Sequence, residues 1–164
     1  MTPEEDAPFS FDGHEALAQA RLRLLAGARR RLCLHLPRLS PDAWASAAEL
    51  AELRRIATAG RGAEIRLLLH EPEAAARDGH RLLELAQRLP SVWRLRTPLE
   101  AADRTCASAW LLTDAGGYLF LPDPSRPQGR AAGRDRAAQV PLQQRFDEVW
   151  ERSARATGLL PLDL

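Results

Sequence analysis

The chain contains no lysine: all 23 basic residues among its 164 are arginine. A guanidinium stays protonated at any working pH, so mechanisms that need an amine base or a Schiff-base nucleophile are excluded. Cysteine is scarce too, with Cys33 and Cys106 alone. Two thiols make no secreted disulfide framework, and each falls in an apolar run where a free cysteine acts as a small hydrophobe. No apolar run approaches the roughly 20 residues that span a bilayer. The opening Met1-Thr2-Pro3-Glu4-Glu5-Asp6 is acidic, the opposite of a secretory leader. Excess charge is missing as well: the formal net charge is +1, which draws the chain toward neither nucleic acid nor an anionic membrane. A cytoplasmic bacterial protein with no cofactor, no metal and no membrane contact is expected.

What is present is an ordinary globular balance, 45% hydrophobic and 27% charged. At this length roughly 70% of the unfolded surface can be buried, enough for one core. Residues 1–11 read as a flexible lead-in, 12–158 as a single α/β domain and 159–164 as an apolar tail. Asp12 and Glu15 have capping-box spacing ahead of a helix with Leu17, Ala20, Leu24 and Ala28 on one face, closed by Arg29-Arg30-Arg31. Leu32–Leu36 reads as a strand. Ser40-Pro41-Asp42 opens a second helix that Gly60 caps. Glu64–His70 is the clearest strand, His80–Leu89 the third helix and Val92–Arg96 a strand with one wet face. Cys106–Leu112 and Tyr118–Leu121 flank the turn Thr113-Asp114-Ala115-Gly116-Gly117 as a hairpin. Residues 122–138 read as an arginine-rich loop, and a last helix starts near Pro141 with Leu142, Phe146, Val149 and Trp150 in one stripe. The alternation of strand and helix implies an α/β fold, its mixed sheet mostly parallel with helices on both faces.

The stretch Leu53-Arg54-Arg55-Ile56-Ala57-Thr58-Ala59-Gly60-Arg61-Gly62-Ala63-Glu64-Ile65-Arg66-Leu67-Leu68-Leu69, the following hairpin and the closing helix resemble a phospholipase D-like half-domain. The sequence is also similar to uncharacterised bacterial domains found alone or beside acetyltransferases. The resemblance spans about residues 12–155 and implies a site built on His-x-Lys-x4-Asp, followed by a Gly-Ser-x-Asn-like segment. In that family the histidine attacks phosphorus, the lysine and asparagine stabilise the phosphoryl charge, and a second histidine protonates the leaving group. With Asp114 on the motif's aspartate, the lysine position is Ala109 and the histidine position Ala107. Leu121-Pro122 stands where Gly-Ser is expected. Neither histidine nor lysine occurs anywhere from Val92 to Leu164, so no small shift of alignment restores the motif. A methyl group neither attacks phosphorus nor holds a phosphate. The expectation is a pseudoenzyme with a degenerate motif, working as a binding or interaction module, with a homodimer or a protein such as an acetyltransferase as partner.

Other residues keep alternatives open. His35 and His70 end the first two strands, where open α/β sheets place ligands, and Glu71 adjoins them. Together they could form a relocated hydrolase or phosphodiesterase site, or simply cap strand ends by bonding backbone. His14 and His80 read as solvent-facing. Cys33-x-His35 matches no zinc spacing. Arg126, Arg130, Arg134 and Arg136 could bind phosphate or an acidic partner, could make the 126–136 loop a weak nucleic-acid binder, or could form a solvated loop. No aromatic residue interleaves with them, which disfavours nucleic acid.

Overall fold

In the computed structural model, residues 6–156 are described. The elements are β1 (Phe9–Asp12), α1 (His14–Gly27), β2 (Arg31–Leu36), α2 (Ala47–Ala57), β3 (Glu64–Leu69), α3 (Pro72–Arg77), α4 (Arg81–Arg88), β4 (Trp93–Thr97), α5 (Ala101–Arg104), β5 (Ala109–Thr113), β6 (Tyr118–Leu121), β7 (Gln128–Ala132), α6 (Arg136–Glu151) and β8 (Ala154–Arg155). They form one sheet in the order β1-β7-β6-β5-β2-β3-β4-β8. Only β2–β3 and β3–β4 are parallel, and the remaining pairings are antiparallel. The mostly parallel sheet expected from the sequence is therefore corrected to a mostly antiparallel one.

The reason lies in two strands that the sequence hid. β1 occupies the end of the supposed lead-in, and β7 the middle of the supposed arginine loop. They pair with each other, and β7 also pairs with β6. β7 reads Gln-Gly-Arg-Ala-Ala and carries none of the β-branched or aromatic residues that mark strands. Gly129 is nonetheless required there, because a Cβ would collide with the Phe120 carbonyl oxygen. α6 begins at Arg136, capped by Asp135, whose Oδ1 accepts from the Ala138 amide at 3.1 Å. Pro141 lies inside it, where one lost amide bond is tolerated against the packing of Phe146, Val149 and Trp150.

Several local expectations are also corrected. Gly13, not Asp12, caps α1, and the helix ends before the arginine run, of which Arg31 already belongs to β2. Ser46, not Ser40, caps α2, through its Oγ and the Glu49 amide. α2 ends at the cap Thr58, two residues before Gly60. His80 is buried rather than solvent-facing. Its Nδ1 accepts from the Leu82 amide at 3.1 Å and its Nε2–H donates to the Ser40 carbonyl at 2.9 Å, tying the loop after β2 to α4.

Helices lie on both faces, and strand parity divides the core between them. Leu32, Leu34 and Leu36 of β2 join Ile65, Leu67, Ala109 and Leu111 under α1, α2 and α4. Leu68, Trp110, Leu112 and Tyr118 point the other way, against Phe146, Val149 and Trp150 of α6. The apolar tail 159–164 lies outside the described residues.

Candidate functional site

The sheet order places the C-terminal ends of β2 and β3 beside the start of β5. Here His35 and His70 meet. Their Nε2 atoms are 3.2 Å apart, and the His35 ring stacks on Trp110 with centroids at 4.1 Å. His35 is fully buried, and its Nδ1 lies 2.9 Å from the Ser108 carbonyl. A carbonyl only accepts, so His35 carries its proton on Nδ1 and, when neutral, accepts from His70 through Nε2. Burial, with the neighbouring His70 ring, pushes the His35 pKa down to about 3 against the pull of the Ser108 carbonyl. His70 is half-buried, and burial lowers its pKa too, although the backbone of Arg104 pulls the other way.

His70 and Glu71 line a cavity of about 410 Å³ with Arg38, Arg104 and Ala107. Buried Asp103 holds that wall in place: it accepts twice from Arg152, at 2.9 and 3.1 Å, which ties α5 to the end of α6. A second cavity of about 410 Å³ lies under α1, with Ala109, Leu119 and Trp44 in its wall. Arg38, Ser40 and Pro124 border both, so the two form adjoining chambers of one cleft at the strand ends.

The residues matched to the family motif are divided by β5. Ala107 faces the first chamber and Ala109 the second. Asp114 is at the other end of β5, where its Oδ1 and Oδ2 accept from the amides of Arg29 and Arg30 at 2.8 and 2.9 Å. It thereby clamps the turn between α1 and β2, and is bonded to the backbone of a neighbouring turn as well as placed in its own.

The four arginines of residues 122–138 do not form one loop. Arg126 precedes β7 and sits near Asp123, Arg130 lies within β7 over the Phe120 ring, and Arg134 and Arg136 follow β7 near Arg29 and Arg55. The length of β7 separates the first from the last two. Cys33 is on the α6 face, where burial pushes its thiol up to about 11, opposite to an activated nucleophile. Among the described residues no group of three or more His, Cys, Asp or Glu is placed to hold a metal.

Sequence reasoning missed Arg21 and Glu49. Both are buried, and they bond at 3.2 Å beside the second chamber. The signal was a charged residue four from Leu17 on the apolar face of α1, and another four from Leu53 on that of α2.

A family model described as a domain of unknown function, DUF7931, matches residues 13–162. The chain belongs to the DUF7931 family. No curated protein matches it significantly. Among solved structures, this DUF7931 chain is similar to TrmBL2, an archaeal chromatin protein described as showing a novel mode of DNA binding, at 14% identity and a TM-score of 0.64. That match covers 95% of this chain but 57% of TrmBL2. Nuc from Salmonella typhimurium, a phospholipase D family member, is similar at 12% identity and a TM-score of 0.63, over 91% of this chain and 98% of Nuc. NucT from Helicobacter pylori matches at 10% identity and 0.60, over 91% and 98%. The fold of this chain is thus phospholipase D-like. Among the described residues no helix is long and apolar enough to cross a membrane.

Two outcomes are expected. Asp114→Ala leaves two backbone amides short of their acceptor and lowers unfolding free energy by about 1–3 kcal/mol, measured by urea denaturation. His35 stays neutral in the fold but gains a proton near pH 6.5 when unfolded. Stability is therefore fully present above about pH 6.5 and falls as pH drops toward about 3, with His70 acting in the same direction. The unfolding free energy from urea titrations should decline across that window, with a slope approaching ~1.4 kcal/mol per pH unit from His35, and His35→Gln should flatten the decline.

Proposed function

We propose that this domain is a non-catalytic, phospholipase D-like binding module whose ligand enters the cleft at the strand ends. The observation that carries the reading is the state of His35, whose Nδ1 bonds the carbonyl of Ser108, between the motif positions 107 and 109. Its ring is sealed in the core with both nitrogens bonded. A nucleophilic or acid–base histidine needs an open nitrogen within reach of substrate. The side chains facing the chambers at 107 and 109 are methyl groups, and Asp114 is occupied with backbone. The motif is degenerate in this reading. A second copy of the chain, or a protein such as an acetyltransferase, is the proposed macromolecular partner, and the cytoplasm the proposed compartment.

One observation favours a second reading, a relocated hydrolase: His70 and Glu71 do share a cavity with Arg38 and Arg104. His70 would act there with no partner nucleophile, since its Nε2 is turned to His35. A nucleic-acid reading draws on the four arginines and on the description of TrmBL2, but the split of those arginines along β7 speaks against a phosphate-tracking groove.

Activity separates these. The purified full chain is expected to hydrolyse bis(p-nitrophenyl) phosphate no faster than buffer, and His70→Ala to leave that background unchanged. Turnover well above background that disappears in His70→Ala would overturn the non-catalytic reading.

A further inference from the structure

The chamber beneath α1 has features that packing alone does not explain. Its wall is mostly apolar, with Leu17, Leu119, Leu121 and Pro124 around the methyl group of Ala109. At about 410 Å³ it lies within the ~300–1,000 Å³ range of small-molecule sites. Arg21 also lines it, although its exposure is only 8%. The Arg21 Nη2 bonds Glu49 Oε1, while the Arg21 Nε and the Glu49 Oε2 are both buried with no hydrogen-bond partner. A buried ion pair with unsatisfied polar atoms on both partners is costly. Trp44, the next wall, is the one non-glycine residue with positive φ among the described residues, at 62°. That conformation is strained for an L-residue with a Cβ. Strain of this kind persists where a site requires it. It holds the indole buried, 5.4 Å from the Arg21 guanidinium carbon.

The mouth adds the charge. Arg38 is exposed there, and among the described residues nothing bonds its guanidinium. Arg38 faces a single acid there, Asp42, because Glu49 offsets the charge of Arg21. A planar guanidinium at the rim of an apolar chamber matches a carboxylate carried on an apolar body.

We infer that the Trp44 chamber is a binding site for a small apolar carboxylate, its acid group held by Arg38 at the mouth and its hydrophobic part seated over Ala109 between Trp44 and Leu119. This rests on the non-catalytic reading above and names the ligand class of the same cleft. Ala109 is the position that admits the ligand. A longer side chain there, such as the lysine of the family motif, would project into the chamber and fill it.

The test titrates 2-naphthoate and its neutral counterpart 2-naphthamide into isotope-labelled full chain, followed by amide NMR shifts. Saturable 2-naphthoate binding is expected, with shifts centred on Trp44, Ala109 and Leu119, and about tenfold weaker binding of the amide. Arg38→Ala, on an exposed side chain that leaves folding intact, should bring acid and amide to equal affinity. Ala109→Leu should abolish binding of both. Absence of saturable binding to the folded wild type, equal affinities for acid and amide, or unchanged binding in Ala109→Leu would each overturn the inference. If Ala109→Leu does not fold, the Arg38→Ala comparison decides alone. The two proposals fail separately. Phosphodiester turnover with intact naphthoate binding defeats only the non-catalytic reading, and an inactive protein that ignores naphthoate defeats only the ligand.

Discussion

The antiparallel pairing of β2 with β5 is the seam on which this structure depends. To one side, β2, β3 and β4 form a parallel unit with its crossover helices. To the other, β5, β6, β7 and β1 form an antiparallel meander. The seam alone joins the two within the sheet, with His35 opposite Trp110 and Leu32 opposite Thr113. Its upper end creates the His35–Trp110 stack and opens the cleft. Its lower end brings Asp114 to the amides of Arg29 and Arg30. Because β5 alternates faces, one residue step separates the α6 core at Trp110 from the α1 chamber at Ala109.

Charge placement in the cleft follows from burial. The interior accepts His35 because it is neutral, and Arg21 because Glu49 offsets it. Removing one partner of such a buried pair typically costs about 3–5 kcal/mol, so Arg21 and Glu49 are bound to each other as part of the scaffold as well as the wall. Arg38, Arg104 and Glu71 are exposed at the rim. The cleft therefore combines a floor whose charges offset one another with a charged rim.

Much of this was legible from residue pattern. The strands at Leu32–Leu36, Glu64–His70 and Tyr118–Leu121 announced themselves by apolar runs between turn residues, and the likeness in element order pointed to the fold that Nuc and NucT also show. β1 and β7 were not legible: Phe-Ser-Phe-Asp is short, and Gln-Gly-Arg-Ala-Ala has weak strand propensity until β6 supplies its hydrogen bonds. Missing them left the antiparallel half underweight and made the sheet look parallel. The nearness of His35 and His70 could be anticipated from their strand ends, but not the burial of the first. That depends on Trp110 lying opposite His35 in register, a pairing no local window contains. The chamber was hidden for a similar reason, since α1, the loop after β2 and the β6–β7 connection meet only in three dimensions.

The proposal turns on His35, which is buried in the core with its Nδ1 on the Ser108 carbonyl beside the motif positions. The ring nitrogens of His35 report on this most directly, through long-range proton–nitrogen NMR spectra recorded across pH. The expected result is a neutral ring protonated on Nδ1 and bare at Nε2, unchanged from pH 8 down to about 4, as the Ser108 bond and burial require. A His35 ring that titrates near its ordinary pKa of about 6.5, or that carries its proton on Nε2, would contradict it.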